Sequence, residues 1–533
     1  MIDGMNVVPL AEWPVAWRMV AVLLATATPA SLATVVLSPR VRRAVHGPLT
    51  TLGMAALVWC AAAAGLALAA SWGHLQPWAD LLLAGQAVGG LVVFVYVNRT
   101  RWTHTAGTAP TDAADGAPHP APRHAPGSLS FARGMAALGD RHYYVKQFAE
   151  HGPVFRMSQF GVPTLCVLGI ERRRAILQLH GPHIGPAPLP FSRSVLRGFL
   201  RYMDDATHNH YGPLMRRAML GTWSPELLGQ LDALIQRHLA PTSAAAHHLR
   251  SGSATELVEP LVRAALDLTL FGFGEGDAAA TRFHGDARAF YRVQSAQRLR
   301  AREEALLDTL VEQLREQEQR LHDRGEASTV PLGRVRALDT SGPDTTVLQN
   351  LVFMHRIATN NVSGLITWLL VYWAQHPEIV SEIRASSGEH RRFLLQRFLA
   401  ETLRLSQSEY TYRTVTRRFV YEGIVYPAGS LLRFCVWESH RDADAFDTPE
   451  AFRLRLDTDA YAKPRFAPFG TGRHACNGAD LNETLCVAIL DALANGIDVA
   501  ITHHEPLRRT SRHWGHWQPN PAMIVQLRHH HAS

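Results

Sequence analysis

The 533-residue chain predicts a mainly helical globular fold with a minority of strand, preceded by two to three membrane-spanning helices. Three observations predict it. The first hundred residues hold three consecutive uncharged apolar runs. The remainder is dominated by segments whose apolar residues recur at helical spacing. Strand patterns are confined to short β-branched and aromatic stretches beside Gly and Pro.

The apolar runs are 19–38, 48–73 and 81–97. Helices of about 20 apolar residues match the hydrocarbon thickness of a bilayer. The third run is near the lower limit, so two spans stand beside three. A cleavable signal peptide fits poorly, because Asp3 and Glu12 replace the basic leader and further apolar runs follow. Arg40, Arg42 and Arg43 lie in the first connection, 72–80 carries no Lys or Arg, and Arg99 and Arg101 follow the third run. The positive-inside bias then places the N-terminus outside and the large C-terminal part in the cytoplasm. Residues 1–102 form this membrane region. Residues 103–128, rich in Ala, Pro, Gly and Thr, read as a tether. Residues 129–533 form the globular part.

Within that part, "GPVFRMSQFGVPTLCVLG" at 152–169 reads as a hairpin about a Gly-Val-Pro turn. A basic helical segment begins at 214–219. A long charged helix covers 297–324. An apolar stretch at 346–375 is long enough to be a buried central helix. Another helix covers 391–405, short strands flank a Pro-Ala-Gly turn in 417–432, and the last helix covers 479–494. "FGFGEG" at 271–276 has Gly at alternate positions but follows a helical pattern, so it reads as a helix end rather than a phosphate loop.

Composition narrows the function classes. The formal charge is +7, carried almost wholly by arginine with only Lys146 and Lys463, and its spread along the chain argues against a nucleic-acid partner. Five scattered cysteines form no C-x-x-C pair, which speaks against a zinc ribbon, a redox dithiol or a disulfide framework.

One cysteine has unusual company. "FGTGRHACNG" runs from Phe469 to Gly478. Arg473 and His474 precede Cys476, Gly470, Gly472 and Gly478 permit close backbone approach, and a helix starts just after. A thiolate without partner protein ligands suits a metal held by a cofactor, with Cys as axial ligand of haem. The pattern F-x-x-G-x-[RH]-x-C-x-G, filled by Phe469, Gly472, His474, Cys476 and Gly478, resembles the haem-binding loop of the cytochrome P-450 superfamily. "ETLR", Glu401 to Arg404, resembles the family's E-x-x-R about 70 residues earlier, and "YPAGSLL" and "ESHRDADAFDTPEAF" resemble the segments between.

The resemblance covers roughly Ser128 to His530. It implies a mainly α fold with a small β-rich lobe and haem b, iron protoporphyrin IX, between the central helix and the cysteine loop. It implies a structural arginine completing Glu401 and Arg404, with Arg453 and Arg455 as candidates and Arg453 preferred. Arg413 and Arg216, with neighbouring Arg217 and His208 or His210, are implied haem-propionate ligands. "SEYTY" at 408–412 is expected near the substrate.

The central helix departs from the family. "IATNNV" at 357–362 stands where Ala/Gly-Gly-x-Asp/Glu-Thr-Thr is usual. Ala358 fits as the small residue over haem, Asn360 replaces the acid and Asn361 the alcohol. Activating dioxygen needs protons relayed by titratable groups, and asparagine exchanges hydrogen bonds without titrating. Asparagine here resembles both sterol and bile-acid hydroxylases, which remain monooxygenases, and enzymes that rearrange lipid peroxides without a reductase. The resemblance thus implies a membrane-anchored monooxygenase that hydroxylates or epoxidises an apolar lipid, sterol or terpenoid-like substrate. Its electrons would come from a separate ferredoxin or flavin reductase. A haem-thiolate isomerase, dehydratase or lyase acting on a lipid hydroperoxide or endoperoxide is the alternative, and a non-catalytic haem sensor the minor one.

Overall fold

The computed structural model describes residues 122–159, 162–187, 199–220, 223–240, 249–292, 300–338, 344–406, 410–462, 464–503, 517–520 and 522–530. Apart from 129–134 these belong to one unit, His119–Ser128 with Met135–Ser533. The three expected membrane spans, and the expected tether as far as residue 121, lie outside the described residues. Among the described residues, no helix is long and apolar enough to cross a membrane.

The helices, in chain order, begin with α1 (Phe131–Gly139), α2 (Tyr143–His151), α3 (Ile170–His180), α4 (Asp205–Met219), α5 (Pro225–Leu239) and α6 (Ala254–Leu266). They continue with α7 (Ala278–Arg292), α8 (Arg300–Asp323), α9 (Pro331–Leu338), α10 (Thr345–Gln375), α11 (Pro377–Ala385) and α12 (Gly388–Ser406). The short α13 (Val436–Ser439) and then α14 (Ala479–Ala494) close the series. The strands are β1 (Arg123–His124), β2 (Gly127–Ser128), β3 (Val154–Gln159), β4 (Val162–Leu168), β5 (Ile184–Pro186) and β6 (Leu249–Ser253). After the central helices come β7 (Tyr410–Val415), β8 (Phe419–Tyr421), β9 (Ile424–Tyr426), β10 (Leu431–Cys435), β11 (Ile497–His503) and β12 (Ile524–His529).

Helix starts follow local chemistry. Asp204 accepts from the Thr207 N–H at 2.8 Å and so caps α4 nine residues before the expected segment. Pro213 inside α4 removes one backbone donor. The helix continues through it because Leu214, Met215, Ala218 and Met219 are buried beyond it. Ser253 and Glu256 form a reciprocal capping box at α6. Asp344 caps α10, accepting from the Thr346 N–H at 2.7 Å.

α10 is the spine. Leu351, Leu365, Ile366 and Leu369 are among its fully or nearly buried residues, each contributing roughly 1.5–3 kcal/mol. One core of helical side chains surrounds it. A second core lies over the β-lobe, around Leu165, Val415, Leu432 and Phe434. The largest sheet has the order β2-β3-β4-β10-β7-β5. Its central β10 is buried along its whole length, running parallel to β4 and antiparallel to β7.

The end of the expected tether is not loose. β1 pairs parallel with β9 and β2 with β3. Main-chain hydrogen bonds hold it, including Arg156 N–H to the Pro126 carbonyl at 2.7 Å. Gly127 has φ +108°, and a Cβ there would collide with the Arg156 carbonyl. The Pro/Ala/Gly composition of 103–128 concealed six residues that join the sheets.

Candidate active site

The cysteine loop bridges the β-lobe side and α14. Gly470 and Gly472 take φ +79° and +69°, the left-handed region that suits glycine. These turns fold the chain back so that the Cys476 N–H donates to the Phe469 carbonyl at 2.8 Å. Gly478 precedes α14 as its cap, and its N–H donates to the Cys476 sulfur. Cys476 is exposed and opens on a cavity of about 360 Å³. Burial pushes its thiol pKa up, opposed only in part by the Gly478 N–H. Positive charge beside the sulfur, such as a metal ion, would favour its anionic form.

The opposite wall is α10. Met354, Ile357, Ala358, Asn361, Val362 and Leu365 face the cavity, the i, i+3, i+4 stripe of one helical face. Leu266 and Leu270, at the end of α6 and in the π-turn after it (Asp267–Phe271), extend the apolar wall. The paired expectation for the two asparagines is corrected here. Asn361 lines this cavity, whereas Asn360 lines a separate pocket on another side of the helix. Neighbours on an α-helix diverge by about 100°, so adjacent side chains do not serve one site equally.

Polar groups are few. Arg413 on β7, His474, His208 on α4, and Arg201 all border the cavity. The His208 and His474 ring centroids are 4.2 Å apart. His208 folds against Gly212, where a Cβ would lie 2.8 Å from its ring. Arg216 does not border the cavity but donates to the Gly472 carbonyl at 3.5 Å, bracing the loop. Arg217 and His210 are absent from the cavity wall. Sequence reasoning passed over Arg201, which follows the undescribed residues 188–198 and belongs to no recognisable pattern. Of "SEYTY", Tyr410 and Thr411 border the cavity, and Tyr412 is buried in a cluster with Ala187 and Leu431.

This donor set fits an iron porphyrin: one sulfur open to the cavity, an apolar wall, and Arg413, Arg201 and two imidazoles at its edge for carboxylates.

Behind the site lies a fully buried charge cluster. Arg404 Nε and Nη2 donate to the two Glu401 oxygens at 2.8 and 2.7 Å, and the Tyr461 hydroxyl adds a third donor at 2.8 Å. The preference for Arg453 is corrected. Arg455 pairs with Glu401, while the half-exposed Arg453 side chain pairs with exposed Asp447. Only the Arg453 backbone N–H reaches Glu401, at 3.3 Å.

A model of the family described as Cytochrome P450 matches residues 296–493. "Abscisic acid 8'-hydroxylase 2" of Arabidopsis thaliana is 22% identical over 405 residues, covering 66% of this chain and 78% of that protein. "Cytochrome P450 family 716 subfamily AD polypeptide 2" of Citrus sinensis is 30% identical over 156 residues, 26% of this chain and 32% of that protein. Among solved structures, "Retinoic acid bound cyanobacterial CYP120A1" superposes with TM-score 0.62 at 17% identity, covering 77% of this chain and 99% of that one.

Proposed function

We propose that the chain is a member of the cytochrome P-450 superfamily, an oxidoreductase of the monooxygenase type that hydroxylates or epoxidises an apolar lipid, sterol or terpenoid-like molecule. Electrons would come from a separate ferredoxin or flavin reductase, and the N-terminal apolar runs would anchor it in a membrane. The observation that carries this reading is the single sulfur of Cys476 opening on an apolar cavity whose far wall is α10. The relatives named for abscisic acid hydroxylation support an oxygenated terpenoid as one substrate class.

Haem, when bound, supplies the one-electron and dioxygen chemistry, with electron density donated by the Cys476 thiolate. The chain's own residues bind and orient. The Gly478 N–H holds charge on the sulfur. Arg413, Arg201, His208 and His474 offer donors to propionates. Leu266, Leu270, Met354 and Val362 exclude water and receive apolar substrate. Asn361 offers a donor and an acceptor at the cavity face but no titratable proton, so proton delivery there falls to water that its amide orders.

That last feature also suits a hydroperoxide isomerase, which needs no external protons for oxygen cleavage. The test is turnover under two regimes. Product formed only with reductant and O2 supports the monooxygenase; anaerobic conversion of a fatty-acid hydroperoxide would replace it with the isomerase. The ligand assignment is checked separately: Cys476→Ser should abolish the thiolate-type reduced-CO spectrum, and persistence of that spectrum refutes it.

A further inference from the structure

On the side of α10 that carries Asn360 lies a second, smaller pocket of about 50 Å³. α6 contributes Thr255 and Glu259, α10 contributes Asn360, Ser363 and Thr367, and Gln518 borders it. Gln518 is 7% exposed, and among the described residues its Nε2 has no hydrogen-bond partner. The amide sits directly over α10 where Gly364 leaves room; a Cβ on residue 364 would collide with it. A glutamine amide thus stays buried with a donor unsatisfied, an arrangement that native interiors avoid unless something fills the gap.

We propose that this pocket is a hydration site, holding ordered water between Gln518, Asn360 and Ser363. The identity of the ligand follows from the donors and acceptors. Ser363 Oγ donates to the Thr359 carbonyl at 2.6 Å, and Thr367 Oγ1 donates to the Ser363 carbonyl at 2.8 Å. Both hydroxyl protons are therefore committed, and the hydroxyls present only lone pairs to the pocket. Gln518 Nε2 presents N–H, Glu259 presents acceptors, and Asn360 presents both. A cation would face the Gln518 donor. An anion would face Glu259 and the hydroxyl lone pairs. Water both donates and accepts, and the volume exceeds the roughly 10–15 Å³ that one water needs. Asn360 then works as a positioning residue in this hydration site, tying α10 to Gln518 through water, and not at the cavity where Asn361 lies. The hydration site stands independently of the reaction proposed above.

A crystal structure of the holoenzyme, at a resolution showing ordered water, decides the first part. Water within hydrogen-bond distance of Gln518 Nε2 and the Asn360 amide is expected, and it should be lost in Gln518→Leu. A dry pocket, or a metal ion or other ion in it, overturns the proposal. The placement of Asn360 is read from the spin-state titration of a terpenoid alcohol, whose hydroxyl can bond an amide at the cavity face. Asn361→Leu should move its dissociation constant about two- to tenfold, the net worth of one hydrogen bond. Asn360→Leu should release the pocket water and leave that constant unmoved. Equal displacement by both variants overturns the assignment.

Discussion

Arg455 and Arg453 lie two residues apart, yet their side chains should differ several-fold in what their removal costs. Arg455 is 5% exposed beside the fully buried Glu401, and it also donates to the Asp447 carbonyl at 2.6 Å. Replacing it by methionine keeps most of the packed volume and removes the charge-assisted bonds. Arg404 remains on Glu401 with two bonds, so the carboxylate is not stranded. The loss is that of a hydrogen bond to a charged group, about 1.5–3 kcal/mol, plus the deprived Asp447 carbonyl. Arg453→Met removes a pair whose partners are 48% and 67% exposed, worth about 0.2–1 kcal/mol. Glu401→Gln should be the worst of the three, because it leaves buried Arg404 without its carboxylate and Arg455 with only the exposed Asp447 at 3.6 Å; breaking such a buried pair costs about 3–5 kcal/mol. Urea unfolding followed by intrinsic fluorescence measures the order. Haem must be held at the same free excess throughout, since ligand binding stabilises by mass action. The expected ranking is Glu401→Gln, then Arg455→Met, then Arg453→Met. An Arg453 variant as damaged as the Arg455 variant would refute the buried-cluster reasoning.

Two further outcomes follow from buried titratable groups. His440 is buried, and burial first, then Arg404 and Arg441, pull its pKa from 6.5 down to about 3. Its ring is neutral when folded and protonated when unfolded below about pH 6.5, so stability should fall by about 1.4 kcal/mol per pH unit from there toward pH 3; His440→Asn should flatten that slope in thermal melts, and an unchanged slope refutes the assignment. Asp267, in the π-turn after α6, receives His284 Nε2 at 2.6 Å and His355 Nε2 at 3.1 Å, while His355 Nδ1 meets the Tyr291 hydroxyl at 2.6 Å. Burial raises the Asp267 pKa, but the two imidazole hydrogen bonds more than offset it and hold it below the ordinary value. Its contribution is therefore present above the ordinary carboxylate pKa and lost as pH falls through the lowered one. Asp267→Asn should lower stability near neutral pH by about 1.5–3 kcal/mol, read in the same urea assay, and a wild-type midpoint would exclude the role.

Much of the fold was legible because it is written in local patterns. The last helix, expected at 479–494, is observed as Ala479–Ala494, and the expected central helix at 346–375 begins one residue earlier. Both carry long apolar periodicity with clear ends. α4 was read late because its first two turns, Asp205 to Gly212, are polar and give no apolar stripe; its N-cap at Asp204 was the signal available. The strands at Arg123–His124 and Gly127–Ser128 were missed because two-residue strands have no period of their own. Their partners, β9 and β3, define them.

The sequence by itself determined the cysteine loop, the E-x-x-R pair and the altered central helix, since each depends on residues close together in the chain. Only the tertiary structure decided which asparagine faces the cavity, which arginine reaches Glu401, and that Arg201 joins the site. Helix geometry dictates that Asn360 and Asn361 diverge, but the direction each takes is set by what packs on α10: the cysteine loop side for one, α6 and Gln518 for the other. Those neighbours lie between about 100 and 160 residues away in sequence. No local pattern carries their position, because burial and charge pairing over such separations arise only once the whole core has closed.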